Sequence, residues 1–161
     1  MRKSMILAAA AVMLGLGAAG AASQQNKDIG YDPRANASEQ LNSAVAVAAE
    51  ESKLVLLISG GDWCVWCHYL AAFLEREPAL DAALHDVFVV QKVYVGSENM
   101  NKEFFAALPK AAGAPHFWVV SASGEVLASQ DTLPLEDGAK SYDRAKFSAF
   151  IERWRGRAAA L

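Results

Sequence analysis

The chain contains two cysteines, and they stand three positions apart within Asp62-Trp63-Cys64-Val65-Trp66-Cys67-His68. Two thiols at this spacing can do chemistry that one cannot. A thiolate attacks a partner's disulfide, and a second thiol within reach attacks the mixed disulfide and releases the partner. A free thiol titrates too high to supply much thiolate near neutrality. A helix N-terminus changes this, because its unpaired N–H groups and the positive end of its dipole favour a negative charge. Cys64 in a first helical turn would gain thiolate character, and Cys67, one turn on and on the same face, would resolve. A purely structural disulfide explains less. Scaffolds held by disulfides spread their cysteines along the chain, and Cys-x-x-Cys closes too small a loop to restrict the unfolded chain by much.

The elements that must position this pair are visible on either side of it. Lys53 to Ser59 is a short apolar run, as expected of a central strand covered on both faces. Gly60-Gly61-Asp62 breaks it, and a helix follows with Cys67, Leu70, Phe73 and Leu74 on one face, ended or kinked by Pro78. Ala79 to Leu84 reads as one further turn or two. Upstream, Asn36 with Glu39 resembles a capping pair, and Leu41, Val45 and Ala48 recur at helical spacing to about Glu51. Downstream, Val87 to Val95 is a second strand and Asn101 to Leu108 a short helix. Phe117 to Val120 and Glu125 to Ala128 form a hairpin around Ser121-Ala122-Ser123-Gly124. Residues 129–140 read as a polar loop. Phe147, Phe150, Ile151 and Trp154 mark a C-terminal amphipathic helix.

Trp63-Cys64-x-x-Cys67 after an apolar strand resembles the active-site signature of the thioredoxin superfamily. A second motif far from it supports the resemblance, Gly113-Ala114-Pro115-His116-Phe117-Trp118-Val119-Val120, where such proteins carry a cis-proline just before an apolar strand. The resemblance spans about residues 38–155. It implies an α/β thioredoxin-like fold, a central mixed sheet of about four strands flanked by helices. It implies a thiol–disulfide oxidoreductase in which Cys64 and Cys67 are catalytic, exchanging with protein thiols and disulfides and recycled by an unidentified redox partner. Trp63, Ala114 and Pro115 would meet substrate, Ala114 through its backbone. Lys92 matches a lysine of many thioredoxins and could tune the thiols or extend toward solvent; His68, by its own charge, could tune them or stand as a solvated helix residue. No cofactor and no metal are expected. The chain also departs from the pattern. Thioredoxins usually bury an Asp six residues before the first Cys, where this chain has Ile58, which puts carboxylate-assisted proton transfer to Cys67 in doubt. The intervening Val65-Trp66 is neither Gly-Pro nor Pro-His.

Three other readings compete. Cys64-Val65-Trp66-Cys67-His68 satisfies the Cys-x-x-Cys-His of c-type haem attachment, with His68 as proximal and Met100 as distal ligand. The strand before the motif and the β-rich second half argue against it. Cys64, Cys67, His68 and His116 could supply four zinc ligands, but His68 follows Cys67 directly on a helix and should point away from the pair. A non-catalytic thioredoxin-like binding module would need neither cysteine. His116 itself reads as a packing residue on its strand.

The 161 residues are 53% hydrophobic and 20% charged, enough for one globular domain. The formal charge of −3, with no Lys/Arg block, points away from nucleic acid and anionic membrane surfaces. Arg2 and Lys3 precede an apolar run from Met5 to about Gly20, and Ala19-Gly20-Ala21-Ala22 offers a small-residue exit. This is the pattern of a cleavable signal peptide, and the run falls short of the ~20 residues that span a bilayer. The expected organisation is a signal peptide over 1–22, a flexible leader over 23–36 and one thioredoxin-like domain over 37–156. The mature protein would be periplasmic or secreted, monomeric, and not inserted in a membrane.

Overall fold

The computed structural model describes residues 28–158, so the expected signal peptide lies outside the described residues. Helix α1, Ala37–Glu51, begins at Asn36, whose Oδ1 accepts from the N–H groups of Ser38 and Glu39 at 2.9 and 3.2 Å. Strand β1, Leu54–Gly60, is buried along its whole length, as its unbroken apolar run requires. Helix α2, Val65–Arg76, follows with Cys64 as its N-cap. Pro78 does not merely end α2. It opens a further helix, α3, Pro78–Val87, because its fixed φ suits a first turn, where the missing N–H is not needed. Leu80, Leu84 and Val87 bury one face of α3, which makes it longer than the turn or two expected.

Strand β2, Phe88–Tyr94, helix α4, Lys102–Ala106, and the hairpin of β3, His116–Val120, with β4, Val126–Asp131, come next. Strand β4 runs three residues past the expected end at Ala128. Ser129, Gln130 and Asp131 continue the ladder opposite Trp118, Phe117 and His116 on the outer edge of the sheet, where polar side chains are tolerated. The loop expected over 129–140 is therefore part strand, and it also holds a 3₁₀ turn at Leu133–Leu135. Helix α5, Arg144–Ala158, ends the described chain.

The sheet order is β2-β1-β3-β4, with β1 parallel to β2 and antiparallel to β3. It is the four-stranded mixed sheet flanked by helices that the sequence led us to expect. Alternation along β1 divides the interior. Leu54, Leu56 and Ile58 face α2, α3 and α5, whereas Val55 and Leu57 face α1 and α4. The leader differs in its described part. Ile29 and Tyr31 are buried and join the core on the α2 side.

Candidate active site

Cys64 and Cys67 are joined in a disulfide at the start of α2. The helix supplies what a sulfur at its end needs. The Cys67 N–H donates to Cys64 Sγ at 3.1 Å, so the cap position uses a sulfur where other helices use an oxygen. Both residues are buried, at 4% and 3% exposure. Cys64 Sγ also lies 3.4 Å from the Ala114 carbonyl oxygen. In the disulfide this is a contact, since that sulfur carries no hydrogen. In the dithiol the same geometry lets the Cys64 thiol donate to the carbonyl. The Ala114–Pro115 peptide bond is cis, and the Pro115 carbonyl accepts from Thr132 Oγ1 at 2.9 Å. Residues fifty positions apart are thus brought onto one sulfur.

Trp63 stands at the rim, 59% exposed, yet its indole is fixed. Its Nε1 donates to the Val95 carbonyl at 2.8 Å. Gly61 and Gly96 make the seat, because a Cβ at either would come within 3 Å of that indole nitrogen. The loop behind is held by the Tyr94 hydroxyl donating to Glu98 and by Asn101 Nδ2 donating to the Tyr94 carbonyl at 2.9 Å. A groove of about 1180 Å³ opens from this rim, walled by Trp63, Tyr94, Phe105, Leu108, Ala114 and Trp118.

The two residues expected to tune the thiols are each hydrogen-bonded to backbone beside the site. His68 Nε2 is 2.7 Å from the Asp62 carbonyl oxygen, so the ring ties the helix to the loop before it. Lys92 Nζ donates to the Ile29 carbonyl at 2.6 Å and sits 5.7 Å from the centre of the Tyr31 ring. Burial pulls its pKa below the usual lysine range, against the opposing pull of Asp81, Asp28 and Asp62. It holds the N-terminal segment against the core. Ile58, the position where a carboxylate was missing, is 1% exposed and apolar.

Tyr31 and Tyr142 are the neighbours that the sequence did not reveal. Tyr31 is 5% exposed and packs at the end of β1. Burial, with Tyr142 and Asp62 adding to it, pushes its hydroxyl pKa well above the ordinary tyrosine value. Tyr142 closes over α2: its ring meets Trp66 edge-on at 6.0 Å, and its hydroxyl reaches the Trp66 carbonyl at 3.5 Å. Trp66 is therefore partly covered by Tyr69 and Tyr142. The available signal for Tyr31 was its alternation with Ile29, two apolar residues spaced as on a strand.

His116 is buried on β3, its Nε2 2.8 Å from Ser129 Oγ and its ring 4.6 Å from that of Trp118. It packs rather than joining the cysteines. Among the described residues, no group of three or more His, Cys, Asp or Glu side chains is placed to hold a metal ion.

A family model described as thioredoxin-like matches residues 35–122, more than half of the chain. The chain belongs to the thioredoxin-like family. Among solved structures it is similar to a disulphide isomerase from Xylella fastidiosa Temecula1. The two are 27% identical, with 77% of this chain and 95% of that chain covered at a TM-score of 0.65. The oxidised C-terminal domain of Neisseria meningitidis DsbD is 22% identical, with 73% of this chain and 96% of that domain covered at a TM-score of 0.48. No curated protein sequence matches the chain. Family, fold and the Cys-x-x-Cys disulfide together make it a thiol–disulfide oxidoreductase.

Proposed function

We propose that the chain exchanges disulfides with protein partners outside the cytoplasm, Cys64 attacking and Cys67 resolving. The observation that carries the assignment is the placement of Cys64. Its sulfur caps α2, accepts the Cys67 N–H and lies against the Ala114 carbonyl. A thiolate at Cys64 would be met by the helix N-terminus and by that N–H. Its attack on a partner disulfide forms the Cys64–partner bond and expels one partner thiolate. Cys67 then attacks Cys64, restores the internal disulfide and releases the second. The partner gains two electrons, and the reverse sequence oxidises a dithiol partner.

Ala114 and Pro115 provide the platform. An extended peptide laid along this backbone would bring its sulfur to Cys64 while pairing with main-chain groups. Trp63, fixed by Val95 and exposed, offers an apolar surface beside it. His68 and Lys92 act at one remove, through the loop at Asp62 and the segment at Ile29. The similarity to a disulphide isomerase supports protein partners, and the residue pattern of 1–22 supports export.

Cysteine-to-serine variants test the assignment. Cys67→Ser should accumulate mixed disulfides with partners on a non-reducing gel, and Cys64→Ser should not. Equal trapping by both would reverse the roles or remove them. Mass spectrometry of the protein from its native source should give a chain beginning near Ala22 or Ser23. Intact residues 1–22 in a membrane fraction would show an anchor instead.

A further inference from the structure

Cys67 borders a small space at the end of β1 that three stretches of chain share. A Cβ at Gly60 would lie 2.5 Å from Cys67 Sγ and 2.7 Å from the Tyr31 hydroxyl oxygen. Sulfur and hydroxyl therefore flank one point, and glycine keeps that point empty. Tyr31 is held there from behind. The Lys92 ammonium is near its ring and binds the carbonyl of Ile29, two residues earlier. The neighbouring β1 side chain on this face, Ile58, has no polar atom to offer a thiol. A buried sulfur that becomes a thiolate needs a donor, because desolvation raises the energy of its charge.

We propose that Tyr31 is a positioning residue for Cys67, its hydroxyl donating a hydrogen bond to the Cys67 thiolate as that sulfur attacks Cys64. The proposal rests on the exchange chemistry argued above. In the resolving step Cys67 gives its proton to water, its thiolate forms the S–S bond to Cys64, and the electron pair of the Cys64–partner bond leaves with the partner thiolate. Tyr31 keeps its own proton throughout. Burial and the nearby Asp62 and Tyr142 disfavour a tyrosinate there, so the group stays a donor. The charges around the pair are Lys92 on β2, itself faced by Asp28 and by Asp81 of α3, and Asp62 before α2, with Tyr142 neutral beside α2. The hydroxyl thus supplies, from the N-terminal segment, a polar contact that β1 does not.

Single-turnover exchange separates the steps. Reduced protein mixed with excess bis-nitrobenzoate disulfide releases one yellow thiolate when Cys64 attacks and a second when Cys67 resolves. Tyr31→Phe keeps the ring and removes the donor. The second phase should slow about tenfold near neutrality, relative to the first, and its pH midpoint should rise about one unit, the size expected of one hydrogen bond to a charged group. A ring-fluorinated tyrosine at position 31 keeps the packing and strengthens the donor, so it should move the midpoint down. An unchanged second phase in Tyr31→Phe overturns the proposal. If that variant fails to fold, an unchanged midpoint in the fluorinated protein overturns it. Absence of any first phase in the unaltered protein would instead defeat the functional reading beneath it.

Discussion

On the side of the sheet that carries the disulfide, the interior is built of rings. Phe73, Phe117, Phe147, Phe150 and Tyr142 meet one another with centroids between 5.4 and 6.3 Å apart, and Phe88 stacks on Phe150 at 5.9 Å. On the other side, α1 presents Ala37, Ala44 and Ala48, and the one large buried ring is Trp118. Small side chains permit a close seat for a helix on strands, whereas rings grip their neighbours in many directions. The difference separates two duties. The ring side fixes the helix whose first turn bears the sulfurs, and the alanine side seals the back of the sheet.

Substitutions chosen by face test this contrast. The largest expected effect is Phe150→Ala on the ring side, where a fully buried side chain is lost. It should cost about 3–5 kcal/mol in denaturant unfolding. Next is Ala48→Leu on the opposite face, where the residue is 0% exposed and there is no room to grow. Overpacking there should cost about 1–3 kcal/mol. A neutral Ala48→Leu would show that α1 is not tightly seated. Asn36→Ala removes the α1 cap and should cost about 1 kcal/mol while leaving the exchange rate of the folded protein unchanged. A loss of exchange beyond the unfolded fraction would mean that the two faces are not independent.

The smallest effects are in pH, and they also divide by face. Tyr31 and Tyr142, on the ring side, have hydroxyls that burial pushes well above their ordinary value. The folded protein keeps protons that the unfolded chain releases. Their stabilisation is therefore complete below about pH 10 and lost as pH rises beyond it. Lys92 has the opposite sign, stability climbing as pH rises toward about 10.4. The decisive measurement compares alkaline unfolding of Tyr31→Phe and Tyr142→Phe with that of the parent, and each should decline less. His116, on the alanine side, is held below the ordinary histidine range by burial, with Asp131 opposing. Its neutral form is favoured by folding, so stability present above about pH 6.5 is lost as pH falls. His116→Phe should flatten the acid limb of the unfolding profile.

Much of this was legible in the residues. Cys64, Cys67, Ala114 and Pro115 stand in short local motifs, and β1 is an unbroken apolar run, so the strand, the helix after it and the redox pair could be read directly. The length of α3 was hidden behind Pro78, read as punctuation although Leu80, Leu84 and Val87 keep a helical period beyond it. Tyr31 escaped notice because residues 23–36 are polar and carry no sustained period. Beyond its alternation with Ile29, its place is decided by the space that Gly60 leaves against Cys67, a tertiary fact. His68 and Lys92 were named as tuning groups from position alone. Their hydrogen bonds to the carbonyls of Asp62 and Ile29 depend on backbone that no motif specifies.

The contact between Cys64 and Ala114 spans fifty residues, and that between Tyr142 and Trp66 spans seventy-six. A chain that emerges N-terminus first therefore presents both thiols to its surroundings well before the segments that shelter them have arrived. Until those segments arrive, Cys64 and Cys67 lack the cover that buries them in the fold. Pairing of β3 with β1 ends this exposure and at the same stroke sets the Ala114 carbonyl beside the sulfur. The newborn molecule thus meets thiol chemistry as a substrate before its own exchange site is assembled.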